Sequence, residues 1–269
     1  ILIFFMKLKK LSLLACIFLF SCQYKPTQMQ KIIFLHHSTG QIIWRGKTNK
    51  VVNKLFKISE VENYFKKYNR KNKSKYYITE RYFPSDQQYG WKNFPYDYYN
   101  IWVKNAGIKP YLNEPTLEIL TKEYNIIIFK HCFPVSNILE DTGKPDINSE
   151  EKRLENYKLQ YLALKEKMHE FPDNKFIVWT PAVHIKGNMT QEEAERTYEF
   201  YKWIMNEWDE KGDNILIWDF YKYETEDGLY LLDKYARKVN NSHPNKTLAA
   251  KTAPLFAQFI INVAEGKLK

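Results

Sequence analysis

The stretch KIIFLHHSTG, residues 31–40, joins an uninterrupted apolar run to a short polar segment. Residues 31–35 are rich in isoleucine, leucine and phenylalanine without polar alternation, which is typical of a strand buried on both faces of a parallel sheet. Ser38 follows this run, at the strand end where parallel sheets hold their ligands. The stretch therefore predicts a buried first strand that delivers a serine to the binding edge of a sheet.

Three further apolar runs of the same kind occur at residues 125–130, 176–180 and 214–220. Helical patterns separate them: a helix that begins near Pro115, a charged helix over 149–170, a helix that Thr190 and Glu193 cap, ending near 210, and a final helix over 247–264. Strands that alternate with helices predict an α/β fold, a three-layer doubly wound sandwich with a mainly parallel central sheet. We expect one such domain over residues 31–269.

Residues 71–102 interrupt this alternation, because eleven aromatic residues lie there among proline, asparagine, aspartate and glycine. The composition predicts a long, ordered, aromatic-rich insertion. Two roles fit it. The rings pack the insertion onto the domain, or they form a lid or a platform for sugar rings.

The N-terminal residues have the pattern of an export signal. Met6 is followed by basic residues and by the apolar stretch 11–20, which is short for a membrane span. Residues 19–22, LFSC, resemble the bacterial lipoprotein box. We therefore expect 1–22 to be a signal peptide, Cys22 to be lipidated and 23–30 to be a tether, which predicts an exported envelope lipoprotein, at the outer membrane on its periplasmic side or at the surface. The alternative is an ordinary signal peptide with a chance cysteine at its end.

Charge and cysteine content limit the partners. The formal net charge is +10, of which about +7 remains without the lysines of the leader, spread widely along the chain. We find no zinc-finger spacing, no glycine-rich phosphate loop and no RNA-binding aromatic motif, so we expect no nucleic-acid partner. Once Cys16 leaves with the leader and Cys22 is lipidated, Cys132 remains alone, and we interpret it as a buried structural thiol.

Ser38 and His243 are a candidate nucleophile and base. A serine hydroxyl is a poor nucleophile until a nearby base removes its proton, and such partners meet through the fold rather than through sequence proximity. His36 and His37 do not suggest a metal site, because adjacent strand residues point to opposite faces and no third ligand has a recognisable spacing. We expect one of them to pack and the other to line the site.

Polar segments near these residues resemble, in order, the signature blocks of the SGNH hydrolases, the GDSL-type esterase superfamily. In that family a nucleophilic serine follows the first strand, as Ser38 does within residues 37–40 (HSTG). The second block supplies an oxyanion-hole glycine after an asparagine, and Gly107 takes that place within residues 105–108 (NAGI). The resemblance covers essentially the whole mature chain in block order.

The third and fourth blocks depart from the family pattern. The third normally reads Gly-x-Asn-Asp, but Cys132 stands where the asparagine is expected, and Asn137 reaches the site only if the loop folds back. The fourth normally has an aspartate two or three residues before the histidine, and here Asn240 and Asn241 precede His243. The histidine is present and the acid is not.

The resemblance implies acyl transfer through a serine ester. His243 deprotonates Ser38, the serine attacks an ester carbonyl, and the oxyanion is held by the amides of Ser38 and Gly107 with the Asn137 side chain. No cofactor is implied. Asn240 or Asn241 orients the histidine, or a carboxylate from elsewhere does, or a backbone carbonyl serves. The candidate carboxylates are Asp219, Glu226, Asp227 and Asp233.

These observations predict an exported, lipid-anchored serine esterase that removes acyl groups, most simply O-acetyl, from a carbohydrate or an envelope glycan. Its partners are then an acylated small-molecule or glycan substrate and, through the anchor, a membrane. A second hypothesis follows from the missing acid and the altered third block: a noncatalytic envelope lipoprotein that uses the same cleft to bind a glycan.

Overall fold

The chain forms a five-stranded parallel sheet with helices on both faces and a separate two-stranded hairpin. A computed structural model describes residues 29–56 and 58–268. The strands are β1 (Gln30–His36), β2 (Tyr76–Tyr82), β3 (Ile126–Phe129), β4 (Lys175–Trp179), β5 (Ile215–Trp218), β6 (Ala236–Lys238) and β7 (Asn241–Pro244). The α-helices are α1 (Ser38–Arg45), α2 (Lys50–Phe56), α3 (Glu60–Asn72), α4 (Pro95–Tyr99), α5 (Leu117–Glu123), α6 (Leu154–His169), α7 (Gln191–Trp203), α8 (Phe220–Thr225) and α9 (Lys246–Ala264).

The strand order is β2-β1-β3-β4-β5, with all neighbours parallel. The order reverses between β1 and β3, and in doubly wound sheets ligands bind outside the carboxyl ends of the strands at this switch point. Ser38 follows β1 and Lys130 follows β3, so both lie there. The predicted doubly wound sandwich with a parallel central sheet is confirmed.

Alternating residues of the strands build two cores, one on each face of the sheet. On β1, Ile32 and Phe34 pack with α1, α3 and α9, whereas Ile33 and Leu35 pack with α4 to α7. Successive strand residues point to opposite faces, and both faces are covered, so the side chains of residues 32–35 are all buried. This explains why the strands lack polar alternation.

The aromatic-rich stretch is not only an insertion, because it contains β2, the edge strand of the sheet. The sequence predicted four strands and missed this one, since its exposed Tyr77 and Arg81 give it the polar character of an edge. Phe83 and Trp102 are fully buried and pack the stretch onto the domain. Trp91 is different, with 66% of its surface exposed, and it is available to a ligand.

The predicted signal peptide, lipidated Cys22 and most of the tether lie outside the described residues. The first strand begins at Gln30, one position before the predicted start of the domain. Within 29–56 and 58–268, the helices include none with the length and apolar character needed to cross a membrane.

Candidate active site

Ser38 is the first residue of α1, immediately beyond the carboxyl end of β1. Gln41 is the first residue whose N–H donates back into the helix, to His37 O at 3.0 Å, so the preceding amides at this helix end have no intrahelical acceptor. Gly40 permits the close approach of helix and strand, because a Cβ there would lie 2.4 Å from the His36 Cβ. The serine therefore sits at the positive end of a helix packed against its strand.

The hairpin β6–β7 and α9 carry His243 to this serine. Asn245 caps α9 by accepting from the N–H groups of Thr247 and Leu248 at 2.9 and 3.1 Å, and its Nδ2 donates to Ala236 O of β6 at 3.2 Å. Since α9 and β7 both pack against α1, the histidine is held over the start of that helix. His243 Nε2 lies 2.8 Å from Ser38 Oγ across 205 sequence positions.

Asn241 orients the histidine. Its Oδ1 accepts from the His243 backbone N–H at 3.0 Å and lies 2.8 Å from the ring Nδ1. An atom that accepts from a backbone N–H is the amide oxygen, so Nδ1 must carry the proton toward it. Nε2 is then unprotonated and accepts the Ser38 hydroxyl hydrogen, which is the tautomer that a general base requires.

None of the four candidate carboxylates takes this place. Asp219 caps α8 and accepts from Tyr201 Oη, Glu226 pairs with Lys234, and Asp227 and Asp233 are exposed. Nor does Asn240 orient the ring, since its side chain is exposed and its carbonyl accepts from a neighbouring asparagine. The partner of Nδ1 is a neutral amide rather than a carboxylate.

Positive charge surrounds the histidine. Burial lowers the pKa of His243, and the cationic side chains of Arg237 and Lys130 lower it further. An asparagine cannot offset these effects by charge. The ring therefore stays neutral at neutral pH and is ready to accept a proton, but the imidazolium formed during reaction receives less stabilisation than an aspartate would provide.

A second hydrogen-bonded group holds the hairpin in place. Ser242 Oγ accepts from Ile185 N–H and Asn188 Nδ2 at 3.2 Å each and lies 2.9 Å from His184 Nδ1. The Phe133 ring packs between His184 and His243, at 4.8 Å from each ring centroid. The sequence placed Ser242 beside the histidine, but nothing in it indicated this positioning role.

A cleft of about 490 Å³ opens beside Ser38 and His243. Its walls are mainly apolar, with Trp91 and Phe94 on one side and Phe133 and Pro134 on another. Trp91 also contacts the ring of His37, the site-lining histidine, at 5.2 Å between centroids. The cleft can hold an apolar or sugar-like group next to the hydroxyl.

Cys132 is buried as predicted, yet it lines this cleft. The fully buried Lys130 donates to its Sγ at 3.2 Å. Burial lowers the pKa of Lys130, whereas burial raises the pKa of Glu224, the nearby carboxyl that accepts from the Val183 N–H at 2.6 Å. A lysine thus stands at the strand end where the family pattern has a glycine.

Gly107 is not at the site, contrary to the prediction. Its carbonyl accepts from Thr116 Oγ1 at 2.5 Å, and its N–H donates to Glu118, which pairs with Lys167 at 2.7 Å. These partners lie at the start of α5 and near the end of α6, and Gly107 is not among the residues that line the cleft. The glycine's positive φ of 148° serves a turn there, and its amide is already bonded.

Asn137 is also elsewhere. Its Nδ2 lies 3.4 Å from Glu193 Oε2 and 3.5 Å from Asn188 O, beside the start of α7. The loop after β3 does not fold back toward the serine as the prediction required. Of the proposed oxyanion donors, the structure places only the Ser38 amide at the nucleophile.

The remaining histidines have local roles. His36 is fully buried and pairs with Glu80, and His37 Nε2 bonds Pro84 O at 2.7 Å while burial lowers its pKa to about 4. His131 lies among aromatic rings, and burial lowers its pKa to about 3. Within the described ranges, no group of three or more metal-ligating side chains comes together.

The fold is similar to solved structures of two enzymes. One is the lipase/acylhydrolase from Enterococcus faecalis, with a TM-score of 0.47 and 15% identity, covering 90% of this chain and 98% of that chain. The other is a gut microbial diltiazem-metabolizing enzyme, with a TM-score of 0.43 and 13% identity, covering 88% of this chain and 48% of that chain. No protein-family model and no curated protein sequence matches the chain. The chemistry is therefore inferred from this chain's own side chains.

Proposed function

We propose that this protein is a serine esterase that works through an acyl-enzyme. The observation that carries the proposal is the 2.8 Å contact between Ser38 Oγ and His243 Nε2. A hydroxyl hydrogen-bonded to an unprotonated imidazole is the arrangement that activates serine for acyl transfer.

The reaction has two steps. As Ser38 Oγ bonds to the carbonyl carbon of the ester, the hydroxyl proton of Ser38 passes to His243 Nε2. The ester C–O bond then breaks, and the departing alkoxide takes that proton. In the second step, His243 takes a proton from water as the water attacks the acyl-serine carbonyl. The bond to Ser38 Oγ then breaks, Ser38 takes the proton back, and the carboxylic acid is released. The Ser38 N–H and the helix end behind it stabilise the negative carbonyl oxygen, since helix N-termini favour negative charge.

The test is covalent labelling with a fluorophosphonate together with hydrolysis of 4-nitrophenyl acetate. We expect the wild-type protein to label and turn over, and Ser38→Ala to do neither. Ser74→Ala, at the opposite edge of the sheet, serves as the matched control and should behave as wild type. Equal labelling of wild type and Ser38→Ala would contradict the proposal.

The proposed substrate is an acylated carbohydrate or envelope glycan, with acetyl as the acyl group. The exposed face of Trp91 beside an apolar cleft supports a sugar ring as ligand, because aromatic faces pack well against amphipathic rings. Acetate release from acetylated xylo- or chito-oligosaccharides, compared between wild type and Trp91→Ala, tests this part. Equal turnover of both proteins would remove the support for a sugar.

The amide partner of His243 favours a second candidate, a noncatalytic glycan-binding protein on the same scaffold. It predicts a folded wild-type protein that neither labels nor hydrolyses esters, but binds oligosaccharides in a manner that Trp91→Ala weakens. The labelling experiment above separates the two candidates.

Export and lipid attachment at Cys22 are part of the proposal, supported by the basic, apolar and LFSC segments of residues 6–22. Metabolic labelling with an alkyne fatty acid in a bacterial host should mark the wild-type protein. Cys22→Ser should abolish the label and Cys132→Ser should retain it. A label that persists in Cys22→Ser would indicate another attachment site.

A further inference from the structure

Two arginines lie on the elements that carry Ser38 and His243, Arg45 on α1 and Arg237 on the hairpin. Arg45 ends α1, seven residues after Ser38, so both side chains lie on the same side of the helix. Helical side chains lean toward the N-terminus, which directs Arg45 back toward the serine. Between them, Gln41 hydrogen-bonds Tyr82, whose ring contacts that of His37.

Arg237 reaches the same region from the hairpin. It lies on β6, which pairs with β7, and its neighbour Ala236 lies opposite Pro244, next to His243. Its side chain is exposed, and its charge lowers the pKa of both His243 and Arg45. Because β7 packs against α1 and the charge of Arg237 acts on Arg45, the two guanidinium groups lie within electrostatic range of each other, on the elements that carry the serine and the histidine.

Neither arginine forms an ion pair with any carboxylate in residues 29–56 or 58–268. The undescribed positions contain no aspartate or glutamate, so they hold no side-chain counter-ion. By contrast, Lys165 and Lys167 pair with carboxylates at 3.0 and 2.7 Å. Two like charges held together without a counter-ion repel each other, and this is relieved when a ligand supplies the anion.

We propose that Arg45 and Arg237 bind a negatively charged oxyanion of the substrate. A rise of about 1.5 Å per residue puts the Cα atoms of Ser38 and Arg45 roughly 10 Å apart, and the arginine leans back across that distance. The substrate is then an acyl ester with a carboxylate, sulfate or phosphate roughly 5–10 Å from the ester carbonyl. Guanidinium groups match such planar or tetrahedral oxyanions by paired hydrogen bonds. This inference rests on the proposed esterase function and narrows its substrate to an anionic ester.

The experiment compares two esters with the same acyl group. 4-Acetoxybenzoate carries a carboxylate near the ester, and its methyl ester is neutral. The measured quantity is the ratio of kcat/KM for the anionic ester to that for the neutral one. A substitution that also disturbs His243 changes kcat/KM for both esters by the same factor. The ratio of the two values therefore reports recognition of the carboxylate charge alone.

We expect the ratio to fall about threefold in Arg45→Gln and in Arg237→Gln and tenfold or more in the double variant, in line with the loss of one or two charge-assisted hydrogen bonds. Lys122→Gln removes one exposed positive charge at the other edge of the sheet and should leave the ratio unchanged. Added salt should lower the wild-type ratio. An unchanged ratio in the double variant would overturn the proposal.

A binding measurement keeps this inference separate from the esterase proposal. Calorimetry with benzoate is run on Ser38→Ala and on the triple variant Ser38→Ala/Arg45→Gln/Arg237→Gln. Binding to the first that is lost in the second supports the arginine site even if the wild type hydrolyses neither ester. Equal affinity of the two proteins, or no binding to either, counts against it.

Discussion

The two edges of the central sheet are built in opposite ways. At the amino-terminal edge, several polar groups are bonded within the protein: His169 lies 2.9 Å from Asp213, and the Asn214 Nδ2 donates to three backbone carbonyls at 3.0 to 3.2 Å, although the Asn214 Oδ1 makes no hydrogen bond within the described residues. Gly107, predicted for the site, is likewise bonded within the protein, through its carbonyl to Thr116 Oγ1 and through its amide to Glu118.

At the carboxyl-terminal edge, many polar groups lack a protein partner. The buried Thr39 Oγ1 and His184 Nε2 make no hydrogen bond within the described residues, and Arg45 and Arg237 form no ion pair there. Because unpaired buried polar groups and close like charges are unfavourable, the groups at this edge lower the free energy of unfolding. The contrast indicates that one edge holds the fold together and the other is prepared for a ligand.

The largest expected effect comes from removing the base. His243→Ala should lower kcat for an acetyl ester by about ten-thousand-fold or more, since His243 Nε2 is the group that lies within hydrogen-bond distance of Ser38 Oγ among residues 29–56 and 58–268. His169→Ala makes the same change at the amino-terminal edge and should leave kcat unchanged. Steady-state kinetics of the two variants measure the difference. Activity of His243→Ala within tenfold of wild type would mean that another base acts.

For the free energy of unfolding, we expect the larger loss at the amino-terminal edge. Asn214→Ala leaves three carbonyls without their donor, so we expect the free energy of unfolding to fall by about 2–3 kcal/mol. Thr39→Val, at the other edge, removes a buried hydroxyl that has no partner and should raise it by about 1 kcal/mol. Urea denaturation followed by circular dichroism measures both. A larger loss in Thr39→Val than in Asn214→Ala would contradict the comparison.

The amide that orients His243 can be replaced by the acid that the family has. Asn241→Asp should raise kcat/KM at neutral pH about tenfold, because a carboxylate stabilises the imidazolium formed in the reaction. It should also move the acid limb of the pH profile upward, since a negative neighbour raises the histidine pKa that burial and cations lower in the wild type. Asn240→Asp adds the same charge without the ring contact and is the control. Equal gains in both variants would show a general charge effect.

The smallest effect concerns the buried His131. Burial lowers the pKa of His131 from about 6.5 in the unfolded chain to about 3 in the folded protein. Between these two pH values the unfolded chain binds a proton that the folded protein does not. The contribution of His131 to stability is therefore complete above about pH 6.5 and is lost as the pH falls. Relative to His131→Phe, the wild type should lose roughly 1 kcal/mol between pH 7 and 5.5. Unfolding curves at both pH values test this, and parallel losses in the two proteins would show that the ring is not buried neutral.

Four strands of the sheet and one helix cap could be predicted from the sequence, because they depend on local residue patterns. The apolar runs predicted β1, β3, β4 and β5, since burial on both faces excludes polar alternation. β2 was missed, because an edge strand with exposed polar residues resembles a loop in sequence. The capping box of Thr190 and Glu193 was predicted and forms.

The sequence by itself determined the doubly wound fold and the position of Ser38 after the first strand, because strand and helix periodicity are local properties. It also supplied the candidates Ser38 and His243, and Asn240 or Asn241 in place of an acid. Only the tertiary structure decided that His243 reaches Ser38, that Asn241 rather than Asn240 or a carboxylate holds the ring, and that Gly107 and Asn137 lie elsewhere. It alone brought the hairpin that carries Arg237 against α1, which carries Arg45. Distances between residues 200 positions apart depend on how α9 and the hairpin pack against α1, and motif spacing does not encode that packing.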